Sequence, residues 1–190
     1  KISLMRAYGT EVVVCPTSVE PEDPRSYYSV SDRLAAQPRH FKPNQYFNQS
    51  NPQTHVFSTG PELWRQTNGT IDAFVCGVGT GGTATGVGRF LKERNPDLVV
   101  VGADPEGSLY SGDEIHPYLT EGIGEDFIPD IADFGQVSKA YTISDAESFA
   151  TARNLLRAEG LLAGSSSGTL LAAALRYCRE QTEPKAVVTL

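Results

Sequence analysis

Apolar positions follow two alternating patterns along the 190 residues. Short apolar runs, several of them β-branched, predict strands over 11–15, 71–76, 98–103, 139–143 and 186–190, with a brief one at 44–47. Between these runs apolar residues recur at helical spacing. Ile2 and Met5 precede a stop at Gly9. Tyr27, Val30 and Leu34 follow Asp23 as cap and Pro24 as first helical residue. Leu63 and Trp64 follow Gly60 and Pro61, and Val87, Phe90 and Leu91 mark a further helix. Phe149, Ala152 and Leu156 follow a capping box of Ser144 and Glu147 and end at Gly160. Leu170, Leu171, Ala174, Leu175 and Cys178 give the last inward stripe. Residues 17–23, 37–43 and 48–52 read as loops or turns, as does Asn68-Gly69. Residues 105–130 show little periodicity, which in a compact domain points to function. Strands alternating with helices predict an α/β fold with a mostly parallel sheet flanked by helices.

Composition narrows the classes. The net charge of −7 argues against a nucleic-acid or anionic-membrane surface. No apolar run approaches membrane-spanning length, and no secretory leader pattern opens the chain. Cys15, Cys76 and Cys178 are odd in number and far apart, with Cys76 and Cys178 in apolar patterns as buried free thiols are. That favours a reducing, cytoplasmic setting. His40, His55 and His116 are isolated, so no metal site is expected.

The stretch IDAFVCGVGTGGTATGVGRFLK, residues 71–92, carries the chemistry. A buried strand runs into a loop holding Gly77, Gly79, Gly81 and Gly82, and a helix follows. Loop N–H groups and a helix N-terminus form an anion cradle, to which Thr80 and Thr83 add hydroxyls. Three ligands compete. Gly77, Gly79 and Gly82 satisfy G-x-G-x-x-G, and Asp104 ends the next apolar run where a ribose-binding carboxylate would sit, so an NAD-binding Rossmann domain is one reading. A P-loop is excluded, because no Gly-Lys-Ser/Thr follows the glycines. A single phosphomonoester such as that of pyridoxal phosphate is the third reading, and a tight turn with packing glycines is the bland one.

GVGTGGTATGVGRFLKE closely resembles the phosphate-binding loop of the fold type II pyridoxal phosphate enzymes, in particular the cysteine synthase/cystathionine β-synthase family. NQYFNQSNPQTH with STGPELW, EGIGEDFIP and EGLLAGSSSGT match further family segments in order and spacing. The resemblance implies the tryptophan synthase β-like fold and pyridoxal 5′-phosphate as cofactor. It implies that Gly79, Thr80, Gly81, Gly82, Thr83 and Gly122 bind the cofactor, and that Gln45, Ile123 and Gly124 bind substrate. Glu125 reads as a solvated charge or as a partner for the second substrate's amino group; Ser165, Ser166 and Ser167 read as a helix cap or a turn beside the cofactor.

The implied reaction is β-replacement on an amino acid. L-Serine and L-homocysteine would give L-cystathionine; the alternative is O-acetylserine with sulfide. A binding or scaffold relative without activity is the rival of another class. Residues 1–47 would belong to the smaller domain and 48–190 to the larger, cofactor-phosphate-binding one. The resemblance places the Schiff-base lysine before Lys1, so no catalytic residue is assigned in this chain, and it implies a homodimer. The first helix begins uncapped and the last strand lacks a flank, so the sequence reads as the middle piece of a longer protein with an incomplete fold.

Overall fold

The computed structural model describes residues 1–16, 19–112 and 114–190. They form two compact units, Lys1–Asn44 and Gln45–Leu190.

The first unit holds two short helices, α1 (Ile2–Ala7) and α2 (Tyr27–Ala35). The strand expected over 11–15 does not form. A strand exists only where a neighbour completes its hydrogen bonds, and Val13 and Val14 stand exposed with no partner strand among the described residues. α2 starts later than expected. Ser26 is its N-cap, its hydroxyl accepting from Ser29 N, while Asp23 instead takes the backbone and guanidinium of Arg25. Its expected stripe is not buried, since Tyr27 and Leu34 are both exposed. The loop expected over 17–23 falls partly outside the described residues.

The second unit contains α3 (Ser50–Phe57), α4 (Thr59–Gln66), β1 (Ala73–Gly77), α5 (Gly82–Lys92), β2 (Val99–Pro105), β3 (Lys139–Ile143), α6 (Asp145–Glu159), α7 (Ser165–Arg179) and β4 (Val187–Thr189). All strand pairs are parallel, in the order β3-β2-β1-β4. The central strands are buried on both faces, as parallel strands flanked by helices must be. Phe74, Cys76 and Val100 pack with Val87 and Leu91 of α5 on one face. Val75, Val101 and Ile143 pack with Leu170, Ala173 and Tyr177 of α7 on the other.

Several expectations shift. Residues 44–47 turn rather than extend, with Asn44 at positive φ. Residues 50–52, expected as part of a polar loop, open helix α3. This helix docks through close backbone approach rather than an apolar stripe: a Cβ on Gly86 would lie 2.2 Å from Pro52 O, and one on Gly82 would lie 2.0 Å from Asn51 Oδ1. α6 buries Ser148 rather than Leu156, because a Cβ on Gly168 of α7 would lie 2.0 Å from Ser148 O and the helices touch there. α7 accordingly turns Leu170, Ala173 and Tyr177 inward and leaves Leu175 and Cys178 exposed. Cys76 is the buried thiol, and burial pushes it up to about 12. Half of the expected capping box forms: the Ser144 hydroxyl accepts from Glu147 N, but the Glu147 carboxylate pairs with Arg176 of α7.

Candidate cofactor site

Open parallel sheets bind ligands beyond the carboxyl ends of their strands, where the strand order reverses. Here the chain moves outward from β1 to β2 and β3, and β4 then returns to the other side of β1. The switch point therefore lies past the ends of β1 and β4. A cavity of about 620 Å³ opens there, with Cys76, Gly77 and Leu190 in its lining.

One wall is the glycine loop, 79–83. Gly81 has φ +79°, a conformation that side-chain-bearing residues rarely adopt. Any Cβ on it would also meet Ala132 Cβ at 2.6 Å. The N–H groups of Thr80, Gly81 and Thr83 donate to no backbone acceptor among the described residues. Gly81, the N-cap of α5, and Thr83 supply orphan donors of a helix N-terminus, and Thr80 belongs to the loop before it. Thr80 Oγ1 accepts from Asn51 Nδ2 at 3.1 Å and from Gly82 N at 3.4 Å. Thr83 Oγ1 lies 3.2 Å from His55 Nε2, and His55 Nδ1 lies 2.9 Å from Thr59 Oγ1. Burial lowers the His55 pKa, which favours the neutral ring between the two hydroxyls. Neither Asn51 nor His55 stood out in the sequence, because α3 itself was not legible there.

The facing wall is 118–125, a segment without regular structure. Asp145, in the first turn of α6, accepts from Leu119 N, Thr120 N and Thr120 Oγ1. Ser165 Oγ accepts from Glu121 N, and Val78 O accepts from Gly124 N at 2.8 Å. Ser108 Oγ accepts from Glu125 N, and Leu109 N donates to Glu125 O at 2.8 Å. The two walls nearly touch: a Cβ on Gly79 would lie 3.2 Å from Gly122 O and 3.8 Å from Glu125 Oε1. A Cβ on Gly77 would run into Ile123 at 2.4 Å.

Gln45, Gly79, Thr80, Gly81, Gly82, Thr83, Gly122, Ile123, Gly124 and Glu125 all line this one cavity. Ser166 and Ser167 join them. Ser165 does not; it is the first residue of α7, whose N-cap is Gly164. Glu125 is half-buried in the cavity wall. Burial first, and Asp126 second, raise its carboxyl to about 7. Tyr118 also lines the cavity, and burial with the nearby Glu125 raises it to about 12.

Asp104 lies elsewhere. It is 4% exposed, near the Ser108 hydroxyl and the Ser111 N–H but with no well-formed hydrogen bond to either carboxylate oxygen, beside a separate apolar cavity of about 290 Å³ with Val78, Tyr110 and Phe134. Desolvation raises it to about 7. Asp104 does not line the glycine-loop cavity, which weakens the case for a dinucleotide.

A phosphate monoester fits the cradle. The donors are backbone N–H groups and hydroxyls, and no lysine or arginine lines the cavity among the described residues. Lys92 Nζ donates to Gln136 O, Lys139 pairs with Glu180 and Lys185 with Asp72. Among the described residues no cluster of three or more His, Cys, Asp and Glu is placed to hold a metal, and no helix is long and apolar enough to cross a membrane.

Comparison with known proteins agrees with this geometry. The chain is 40% identical to a cystathionine β-synthase of Apis mellifera over its full length, spanning 39% of that protein. It is likewise 40% identical to the cystathionine β-synthase of Mus musculus, spanning 35% of it. An O-acetylserine dependent cystathionine β-synthase from Helicobacter pylori superposes with a TM-score of 0.89 at 36% identity, over 99% of this chain and 61% of that one. A hydrogen sulfide-producing enzyme from Fusobacterium nucleatum gives 0.90 at 32% identity, over 99% and 63%. The fold is thus that of the fold type II enzymes, as the resemblance implied. With residues 1–190 all matching the family of pyridoxal-phosphate dependent enzymes, the chain belongs to that family.

Proposed function

We propose that this chain forms most of the cofactor-binding half of a cystathionine β-synthase-type enzyme that joins a serine-type amino acid to a thiol. The observation that carries the reading is the single cavity that sets an anion cradle opposite a half-buried carboxyl, Glu125. Residues 48–190 are read as the larger domain and 1–47 as part of the smaller one.

When bound, pyridoxal phosphate supplies an electron sink for negative charge at the substrate's α-carbon. In this reading its amine partner is a lysine preceding Lys1. The N–H groups of Thr80, Gly81 and Thr83, with the helix dipole of α5, hold the phosphate. The Gln45 amide donates to the amino-acid carboxylate without adding charge beside it. Gly122, Ile123 and Gly124 let backbone approach the ring and the substrate closely. Glu125 meets the ammonium of the second substrate. An ammonium there would favour the ionised carboxylate and draw its pKa back down. Sulfide carries no such group, so Glu125 favours homocysteine. The O-acetylserine dependence of the Helicobacter pylori relative supports a second reading, in which acetate rather than hydroxide leaves.

The test uses the full-length protein with L-serine or O-acetylserine, each paired with homocysteine or sulfide. Cystathionine from homocysteine is the expected product. Glu125→Gln should raise the homocysteine KM about tenfold or more, from loss of a charged hydrogen bond, and leave turnover with sulfide unchanged. No turnover with any pair, and no visible cofactor absorbance, would return the protein to a scaffold relative.

A further inference from the structure

The carbonyl of Gly79 sits at the mouth of the phosphate cradle. A carbonyl oxygen facing a phosphate would repel it, so this oxygen must be held away. No backbone N–H of the described residues donates to it. Tyr110 does: its hydroxyl lies 3.1 Å from Gly79 O. Tyr110 belongs to the short 3-10 turn Leu109–Ser111 and is absent from the lining of the cofactor cavity, so it approaches the loop from behind. The same hydroxyl lies 3.4 Å from Phe127 O, just past the facing wall.

We infer that Tyr110 is a positioning residue of the phosphate site, holding the Gly79–Thr80 peptide so that the Thr80 N–H faces the cradle. The peptide unit is planar, and the chain has no cis bonds. Its C=O and N–H therefore point in opposite directions, and fixing the one toward Tyr110 aims the other at the ligand. The brace is itself fixed. Tyr110 N donates to Ser108 Oγ at 3.3 Å, and the ring meets Phe134 with centroids 5.0 Å apart and planes tilted by 57°. Burial first, then Glu125 and Asp104, raise its pKa, which favours the protonated, donating hydroxyl. The single proton is shared, so the contact to Phe127 O ties the second wall to the same point.

The inference rests on the phosphate reading of this loop. The test is Tyr110→Phe in the full-length protein, which removes the hydroxyl and keeps the ring. Three quantities are measured: the Kd of pyridoxal phosphate for the apoprotein, the ³¹P resonance of the bound cofactor, and the apoprotein's thermal midpoint. The expected result is a rise in Kd of about twofold to tenfold, the size of one neutral hydrogen bond. The bound ³¹P line should shift and the apoprotein midpoint should hold. An unchanged Kd and ³¹P line in the variant, with normal binding in the wild type, overturns the inference alone. So does a lowered midpoint with unchanged binding, which marks a merely structural tyrosine. A wild-type protein with no bound ³¹P resonance overturns the phosphate reading itself.

Discussion

The two walls of the cavity are built by opposite means. The wall over 79–83 sits between a buried strand and a helix, and its shape follows from what glycine lacks: Gly81 adopts φ +79° and leaves room for Ala132. The wall over 118–125 has no regular structure and is hung from side chains far away in sequence. Asp145, Ser165 and Ser108 each take one or more of its N–H groups. The first wall offers fixed donors to an anion. The second offers a titratable carboxyl and an irregular outline. Under the proposed function the first wall serves the cofactor, and the second, Gly122 apart, selects what reacts with it.

Breaking each wall separately sharpens this contrast. Gly81→Asp should have the largest effect, loss of cofactor retention in the full-length protein. It adds a Cβ where φ is positive and Ala132 is already within 2.6 Å, and sets a carboxylate against a phosphate. The visible absorbance of the purified variant measures it; a full cofactor spectrum would break the comparison.

Asp145→Ala should strike the other wall. It removes the acceptor of three hydrogen bonds to Leu119 and Thr120. About 1.5–3 kcal/mol of loop ordering is lost, read as a rise of about tenfold or more in the KM for the second substrate. Cofactor content should stay near wild type. Equal losses of cofactor in both variants would mean that the walls act as one.

The smallest effect concerns neither wall. Burial raises Asp104 to about 7 in the folded protein, above its ordinary 3.8. The sign follows from linkage: the neutral acid is favoured by folding, so its contribution is full below about pH 4 and is lost as pH rises through 7. Asp104→Asn removes that loss. Its stability should decline less between pH 4 and 8, leaving the variant more stable at pH 8 by about 1–2 kcal/mol, since a charged carboxylate draws in water and offsets part of its burial. Glu125, also raised to about 7, keeps some slope in both proteins. Denaturant unfolding across pH measures it; a variant less stable at pH 8 would show that the carboxylate has a partner there.

The same contrast explains what the sequence revealed. Residues 71–92 were legible as strand, loop and helix because apolar periodicity and glycine spacing are local properties. The parallel α/β class followed from the alternation of such segments. The strand expected over 11–15 failed because β-propensity is local and strand pairing is not. Helix α3 was hidden because its docking face is Asn51, Pro52 and His55, packed against the glycines of α5 rather than presented as an apolar stripe. The inner faces of α6 and α7 were legible only in part, Leu170 and Ala174 being buried as expected, because the helices meet at Ser148 and Gly168, where small size matters more than hydropathy. Gly122, Ile123 and Gly124 came from the family resemblance alone. The bonds that hold them join residues such as Thr120 and Asp145, or Glu121 and Ser165, far apart in sequence. No local pattern records such a pairing.

The most direct measurement is a crystal structure of the full-length protein with pyridoxal phosphate bound. The account predicts the phosphate at the N-terminus of α5, its oxygens about 3 Å from the N–H groups of Thr80, Gly81 and Thr83, with the ring lying toward Gly122. A cofactor phosphate bound anywhere else, or held in the cradle by lysine or arginine side chains in place of these N–H groups, would contradict it.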